Sequence, residues 1–477
     1  MTAESLEGMD SVFVTLDTPN APLHVGMVLE LVPTSDTTVD PKKRFDEIKL
    51  QIESRLGRID VLRRRIVRVP FDLGSPIAVE DPDFDFGSHV VRRAVTSPGG
   101  PKELEALVAR IMARPLAPDR PMWEISVIEG LESGRTGVLA KIHHALADGV
   151  SGVSVFAELF DLEQQPSTEI VAIEAEIVPP IPTPLEMLAR SSSEVLRRPA
   201  AILEAMGTTL EHVAGRVDSV FAEIATAAPT LLAAPKTSLS GTVSHGRNFE
   251  RVCLSLPAVK EVSKEYGGTV TDFALTIVGG AARRLLEHRG ESLDKELIAF
   301  IPVNIRAPGT EGELGNKISA RLAPLATLIE DPHERLATLV ARSKVIKEGG
   351  VSQNDFLSEV ANAVGPAMAS AAGKVVDAFG LFEMLPNVAN LVLSSVPGPP
   401  VPLWCSGQQI VRASPMGPLM FNQALNITLL GYCDSLEFGI LGCSKKVPDA
   451  ALLRELVEDE ATLLVGKKSA HFRASTA

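Results

Sequence analysis

The sequence predicts an α/β protein built from two domains that a helical segment connects. A chain of 477 residues is too long for one ordinary hydrophobic core, so two domains are expected. In each half, segments with the twofold alternation of strands and segments with helical spacing follow one another. Between the halves, helical spacing without an obvious strand follows a group of prolines. We therefore predict an N-terminal domain of residues 1–165, a helical connection of residues 166–245 and a C-terminal domain of residues 246–477.

The composition indicates a globular protein and argues against nucleic acid as a partner. Hydrophobic residues make up 45% of the chain and charged residues 22%, a balance typical of folded proteins. The formal net charge is −14, whereas nucleic-acid binding requires a basic surface. The same charge disfavours purely electrostatic docking to anionic lipid, so any contact with a membrane would be hydrophobic and local.

The cysteines and the start of the chain predict a cytoplasmic protein. The four cysteines show neither the pairing nor the spacing of a disulfide framework or a metal site, so we expect reduced thiols. The first seven residues are acidic and lack an apolar core, which predicts that no signal peptide is present. Charges and prolines interrupt even the most apolar region, residues 361–396, so no segment is expected to span a bilayer.

The elements of the first half follow from periodicity. Strands are predicted at residues 25–31 and 122–128, and helices at residues 45–56 and 103–112. Trp123 is expected in the core, because a large aromatic ring dominates local burial. Arg63, Arg64 and Arg65 favour a solvated basic face over a phosphate site.

The segment from residue 141 to residue 149, Lys-Ile-His-His-Ala-Leu-Ala-Asp-Gly, is the part of the chain that predicts chemistry. It begins within a strand, residues 137–144, so His143 and His144 point to opposite faces and should not share one role. Residues 153–160 then have the spacing of an amphipathic helix, which leaves Asp148 and Gly149 in the turn between strand and helix. A neutral imidazole is well suited to accept a proton near neutral pH.

Two alternatives to catalysis are open at this segment. The histidine pair could be purely structural, and Asp148 could either bond an imidazole or hold the loop to another part of the chain, which the spacing does not decide. A metal site is the second alternative. The opposed faces of His143 and His144 work against shared coordination, and no carboxylate-rich motif or CxxC pair accompanies them, so no metal is expected.

The second half continues the alternation of strands and helices. Strands are predicted at residues 249–256, 297–304 and 389–396, with a hairpin formed by residues 425–430 and 435–441. Helices are predicted at residues 259–266, 272–287 and 452–464. Gly279 and Gly280 in the long central helix predict a close approach of a neighbouring segment.

These residues carry a resemblance to a known family. His143 to Gly149 match the HHxxxDG signature of CoA-dependent acyltransferases and peptide-synthetase condensation domains. Further segments narrow the resemblance, over nearly the full length, to the bacterial wax ester synthase/diacylglycerol acyltransferase family. The supporting segments are residues 9–13, 24–26, 120–124, 302–306, 314–316, 331–335, 395–399 and 424–428.

The resemblance implies two chloramphenicol-acetyltransferase-like domains of mixed α/β structure, with the active site at their junction. It implies an O-acyltransferase that moves a fatty acyl group from acyl-CoA to diacylglycerol or a long-chain alcohol, giving triacylglycerol or a wax ester. Acyl-CoA would be a co-substrate, and no cofactor is expected. Such an enzyme would contact the inner face of the membrane or lipid droplets peripherally.

The resemblance also assigns roles to the motif residues of this chain. His144 would be the general base, His143 an orienting or packing residue, and Asp148 a structural residue that holds the loop. Gly149 would allow the backbone to turn beneath the motif. Arg306 is the candidate partner of Asp148 at the site.

Other candidate residues surround the proposed site. The resemblance suggests that Trp123 also shapes the substrate channel. Separately, Asn304 and the Thr271 hydroxyl are candidate donors to the thioester oxyanion. Family members often carry Asn-Asp where this chain has Thr271-Asp272, so the acceptor alcohol stays open. Asp272 suits a helix start, where it can cap. No GxSxG segment is present, which favours direct transfer over an acyl-enzyme.

Two other functions are compatible with the same sequence. One is a non-catalytic lipid-binding or droplet-associated protein that has kept the fold. The other is a condensing acyltransferase that takes its acyl group from a carrier-protein thioester.

Overall fold

The structure is a computed structural model. It describes residues 4–6, 8–33, 40–72, 74–146, 158–165, 180–189, 234–304, 318–348, 387–420 and 422–466.

The first half of the chain contributes three helices and seven strands within the described ranges. In chain order they are β1 Glu4–Ser5, α1 Gly8–Leu16, β2 His24–Val32, α2 Pro41–Arg55, β3 Arg64–Val67, β4 Ile77–Glu80, β5 Val90–Ala94, α3 Pro101–Met112, β6 Trp123–Glu129 and β7 Thr136–His143. The strands predicted at residues 25–31, 122–128 and 137–144 and the helices predicted at residues 45–56 and 103–112 are confirmed to within a few residues, whereas α1 and the short strands β1 and β3–β5 were not predicted.

The second half follows with elements that are mostly longer. They are β8 Arg247–Ser255, α4 Leu256–Glu265, α5 Val270–His288, β9 Ile298–Asn304, β10 Ile318–Pro324, α6 Pro332–Glu348, β11 Leu391–Val396, β12 Trp404–Cys405, β13 Gln408–Met416, β14 Leu425–Tyr432, β15 Ser435–Cys443 and α7 Ala450–Val465. All elements predicted for this half are confirmed, and β10, α6, β12 and β13 are additional.

Two mixed six-stranded sheets organise the described residues, which confirms the predicted α/β class. The first has the strand order β12-β13-β2-β7-β6-β5 and is antiparallel except for the pair β5 and β6. The second has the order β10-β9-β11-β14-β15-β8, in which β9, β11 and β14 run parallel. The strand β7, which ends at His143, therefore lies in the middle of the first sheet.

Strands β12 and β13 belong to the second half by sequence but lie in the sheet of the first half. β13 pairs with β2 in an antiparallel register that runs from Gln409 opposite Val32 to Met416 opposite Gly26. The division of the chain by residue number did not include this exchange. It ties the two halves together through a ladder of backbone hydrogen bonds, whose register shifts once, between Ile410 and Arg412.

Buried charges and shared core residues also join the halves. Arg251 of β8 donates to Glu30 of β2 at 2.7 Å and to Glu105 of α3 at 3.2 Å, and all three side chains are largely buried. The apolar face of α3, including Leu104 and Val108, packs in the same core cluster as the second sheet. The first sheet and α3 are therefore fixed against the second half by both buried charges and shared core residues.

Helix α5 is the centre of the second half, and its two glycines allow the close packing that the sequence predicts. A Cβ atom at Gly279 would lie 2.5 Å from the carbonyl oxygen of Leu325. A Cβ atom at Gly280 would collide with the buried ion pair of Arg335 and Glu460, whose atoms lie 2.8 Å apart. Both positions thus require a residue without a side chain.

The arginine cluster differs from its predicted solvated face. The side chain of Arg63 is buried, and it donates to the carbonyl oxygen of Leu56 at 2.8 Å, to Asp60 at 2.8 Å and to Glu80 at 3.3 Å. The prediction was wrong for this residue because two nearby carboxylates neutralise its charge inside the fold.

Some predictions concern residues that the structure does not describe. The helix predicted at residues 153–160, and further helical segments within residues 185–224, lie wholly or mostly outside the described ranges. Within those ranges, every helix is too short or too polar to cross a bilayer.

Candidate active site

The histidine pair lies at the end of β7, where the neighbouring strands hold its backbone from both sides. His143 pairs with His24 of β2 in the sheet register, and its amide donates to the carbonyl oxygen of Met122 at 2.9 Å. The amide of His144 donates to the carbonyl oxygen of Leu23, also at 2.9 Å. The pair is therefore placed by the sheet itself, as the predicted strand end required.

The His144 ring packs against the N-terminal helix. Its centroid lies 4.1 Å from the ring centroid of Phe13 on α1, with an interplanar angle of 26°. Only 9% of the His144 surface is accessible. Phe13 therefore covers one face of the imidazole.

His143 is deeply buried, and its side chain accepts a hydrogen bond from the backbone of the turn that follows. Its Nδ1 atom accepts the amide proton of Ala145 at 3.1 Å, so the neutral ring carries its own proton on Nε2. Nε2 lies 3.8 Å from the Oδ1 atom of Asp17. Burial, followed by the charge of His144, lowers the pKa of His143 to about 3, so this ring stays neutral at physiological pH.

Asp17 is a site residue that the sequence analysis missed. It follows α1 directly, and its Oδ1 atom accepts the amide proton of Leu23 at 2.6 Å. Burial raises the pKa of this carboxyl to about 6, while the Leu23 hydrogen bond and the charges of Arg68 and Lys141 act in the opposite direction. A single acidic residue between a helix and the strand of His24 carries no motif, so only the three-dimensional contact with His143 identifies it.

Lys141 and His24 face the end of α3 from neighbouring strands. The Nζ atom of Lys141 donates to the carbonyl oxygens of Ile111, at 2.9 Å, and Arg114. The Nε2 atom of His24 bonds to the carbonyl oxygen of Met112 at 2.7 Å. Carbonyls at a helix C-terminus have no partner within the helix, so these two side chains satisfy them and fix α3 to the strands at the site.

Trp123 lies in the core, as predicted. Its Nε1 atom donates to the carbonyl oxygen of Leu62 at 2.7 Å, and its ring stacks on His89 with centroids 4.3 Å apart. The residue is 4% exposed and packs in the core cluster of the first sheet. Its suggested role in shaping a substrate channel stays a prediction.

Asp272 caps α5, as its position predicts. Its Oδ2 atom accepts from the amide and the hydroxyl of Thr269, at 2.8 and 2.7 Å, and Oδ1 accepts the hydroxyl proton of Ser343. Thr269, rather than Thr271, is the N-cap residue and completes a capping box. Thr271 is half-buried in the first turn of this helix.

The structure does not show the side chains of the remaining predicted site residues. Asp148, Gly149 and Arg306 lie outside the described ranges, and Asn304 is described only as the last residue of β9. The pairing of Asp148 with Arg306 therefore stays a prediction. Among the described side chains, no group of three histidines, cysteines or acidic residues is arranged to hold a metal ion.

The fold is one that solved structures of an acyltransferase and of condensation domains share. Solved structures with this fold include a wax ester synthase/diacylglycerol acyltransferase from Marinobacter aquaeolei VT8, which is 23% identical with a TM-score of 0.67 and covers 97% of this chain and 98% of its own. The first condensation domain of the calcium-dependent antibiotic synthetase, in complex with a substrate analogue, is 15% identical with a TM-score of 0.56 and covers 98% and 97%.

The family itself follows from the sequence comparison. Residues 6–274 match the model of the wax ester synthase/diacylglycerol acyltransferase catalytic domain, and residues 314–464 match that of the C-terminal domain. A relative from Mycobacterium tuberculosis strain H37Rv, named as a probable diacylglycerol O-acyltransferase, is 32% identical over 402 residues and covers 83% of this chain and 82% of its own. The chain belongs to the wax ester synthase/diacylglycerol acyltransferase family, so the predicted resemblance and enzyme class are confirmed.

Proposed function

We propose that this protein transfers a fatty acyl group from acyl-CoA to the hydroxyl of diacylglycerol or a long-chain alcohol, forming triacylglycerol or a wax ester. The observation that carries the proposal is His144, held at the end of the central strand with one ring face against Phe13. The names of the relatives support the substrate class, because they describe diacylglycerol acyltransferases and wax ester synthases. Acyl-CoA is a co-substrate in this proposal, and no cofactor takes part.

In the proposed reaction, His144 accepts the proton of the acceptor hydroxyl while the hydroxyl oxygen bonds to the thioester carbonyl carbon. The carbon–sulfur bond then breaks, and the imidazolium returns the proton to the departing CoA sulfur. An ester and free CoA thiol are the products. His143 does not compete for the proton, because its Nδ1 atom is engaged by Ala145 and burial disfavours its charged form.

The other predicted residues complete the proposal. Asp148, paired with Arg306, would hold the loop after the histidines. Gly149 would allow the backbone to turn beneath the motif. Asn304 and the Thr271 hydroxyl would donate to the developing oxyanion, where a well-placed donor is worth a large part of catalysis. The roles of Asp148, Gly149 and Arg306 are supported by the family motifs of the sequence.

We also propose that the enzyme works in the cytoplasm, at the inner face of the membrane or at lipid droplets. Diacylglycerol and long-chain alcohols reside in such phases, so the protein must reach their surface to collect the acceptor. The net charge of −14 supports a local apolar contact over electrostatic docking.

An acceptor panel with one radiolabelled acyl-CoA tests the proposal. The purified protein is incubated with diacylglycerol, a long-chain alcohol or neither, and products are separated by polarity while CoA thiol is measured. We expect ester formation that His144→Ala abolishes without unfolding the protein. The matched control His288→Ala changes an exposed histidine at the end of α5 and should keep wild-type turnover.

Two results would contradict the proposal. Acyl-chain binding without release of CoA thiol for any acceptor would indicate a lipid-binding protein. Transfer from an acyl-carrier protein but not from acyl-CoA would indicate a condensing acyltransferase.

A further inference from the structure

Asp17 reaches both histidines of the motif although it lies more than a hundred residues away in the sequence. We propose that Asp17 is a positioning residue of the active site, which holds the His144 backbone through Leu23 and the His143 ring through its Nε2 proton. The inference deepens the proposed function and rests on it, because Asp17 would act on the reaction only through His144.

The first connection runs through one residue of the loop before β2. The Oδ1 atom of Asp17 accepts the Leu23 amide proton at 2.6 Å, and the Leu23 carbonyl oxygen accepts the His144 amide proton at 2.9 Å. Leu23 is itself 1% exposed, so its peptide groups need these partners inside the fold. The carboxylate thereby fixes the residue whose carbonyl group anchors the proposed base.

The second connection runs through the imidazole of His143. Its Nδ1 atom accepts from Ala145, so Nε2 carries the proton, and that atom lies 3.8 Å from the same Asp17 oxygen. A carboxylate on this side favours the Nε2–H tautomer. Only this tautomer can accept the Ala145 amide, which sets the backbone turn immediately after His144.

Charge supports the second connection. Arg68 and Lys141 face Asp17 and oppose the effect of burial, which raises the pKa of the carboxyl to about 6. A carboxyl with a pKa of about 6 is mostly ionised at neutral pH, and its charge attracts the Nε2 proton of the neutral His143 ring across 3.8 Å. Asparagine is nearly isosteric and can still accept the Leu23 amide, but it lacks this charge. Alanine removes both connections.

The kinetic experiment compares the wild type with Asp17→Asn and Asp17→Ala under identical acceptor and acyl-CoA conditions. We expect kcat to fall about tenfold in the asparagine variant and further in the alanine variant, with KM for acyl-CoA within about twofold of the wild type. Asp40→Asn is the matched control, because Asp40 is an exposed carboxylate that also accepts a backbone amide, from Lys42 at 3.0 Å. Wild-type kcat in both Asp17 variants would overturn the inference.

A spectroscopic arm separates this inference from the proposed function. In protein labelled with ¹⁵N-histidine, the His143 signal, assigned with His143→Gln, should report the Nε2–H tautomer in the wild type and a shifted tautomer population in both Asp17 variants. An unchanged His143 signal would overturn the inference even if the enzyme is active. A wild type that transfers no acyl group would instead overturn the proposed function, and the tautomer measurement would still decide the role of Asp17.

Discussion

The buried ammonium of Lys141 makes the stability of the first sheet depend on pH in a defined direction. Lys141 is 3% exposed, and burial lowers its pKa from an ordinary value of 10.5 to about 8. Between these two values the unfolded chain binds a proton that the folded chain has lost, so the free energy of unfolding must rise with pH. The gain in the free energy of unfolding from this loss of charge is absent below pH 8 and complete only above pH 10.5.

The size of the effect follows from the shift. Each pH unit between the two pKa values corresponds to about 1.36 kcal/mol. Because only the part of the interval above pH 8 contributes, raising the pH from 7 to 9 should stabilise the wild type by about 1.3 kcal/mol through Lys141 alone. Lys141→Met removes this contribution and also leaves the carbonyls of Ile111 and Arg114 without their donor, at about 1–3 kcal/mol each. At pH 7 the loss is partly offset, because methionine does not bury a charge.

Urea unfolding followed by tryptophan fluorescence measures this prediction. Both tryptophans of the chain, Trp123 and Trp404, lie in strands of the first sheet, so the signal reports on the sheet that contains Lys141. The stability difference between wild type and Lys141→Met should grow by about 1.3 kcal/mol from pH 7 to pH 9. The control Lys264→Met changes an exposed lysine, so the stability difference between the wild type and Lys264→Met should be the same at both pH values. The reasoning is refuted if the Lys141→Met difference is the same at both pH values.

Two further substitutions test contacts at the site and in the second half. Phe13→Leu keeps most of the apolar volume but removes the ring stacked on His144, so we expect kcat to fall several-fold while thermal stability drops by only about 1 kcal/mol; unchanged kcat would show that the stacking does not orient the base. Gly280→Ala should destabilise the protein by about 3 kcal/mol in thermal unfolding, because the new methyl group displaces the buried pair of Arg335 and Glu460; wild-type stability would contradict this packing.

The elements that the sequence predicts well are those whose local pattern is strong. Strand β7, helix α5 and the hairpin of β14 and β15 all show regular spacing over many residues, and each is confirmed within a few positions. The glycines of α5 add a packing prediction that the Arg335 and Glu460 pair explains. Local spacing is enough here because each of these elements is long and largely buried.

The missed features depend on contacts between distant parts of the chain. Strand β13 has no pattern that distinguishes the first sheet from the second, and only its pairing with β2 decides its place. The same applies to Arg63: its run of arginines suggests a solvated face, but Glu80 and Asp60 pair with its side chain inside the fold. Charge patterns in a sequence do not show which partners the fold supplies.

The candidate site divides along the same line. His143 and His144 could be predicted because the HHxxxDG signature is a contiguous motif on a strand with clear alternation. Their neighbours Phe13, Asp17 and Lys141 could not be assigned roles, because each makes a contact that forms only when α1, β2 and α3 assemble around β7. The signature identifies the proposed base, whereas the fold determines its surroundings.

The strand exchange gives the position of the site a physical reason. Strand β2 lies between β7, which carries the histidines, and β13, which comes from the second half. Without residues 404–416, β2 would present an unpaired edge of backbone donors and acceptors next to the site, and such edges are prone to mispairing. Glu30 of β2 would also lose the neutralising Arg251 of β8 if the second half were absent. Leu23, the residue directly before β2, anchors the His144 backbone, and β2 is itself held in place by the second half. The histidine pair therefore depends on both halves, even though its own residues come from one.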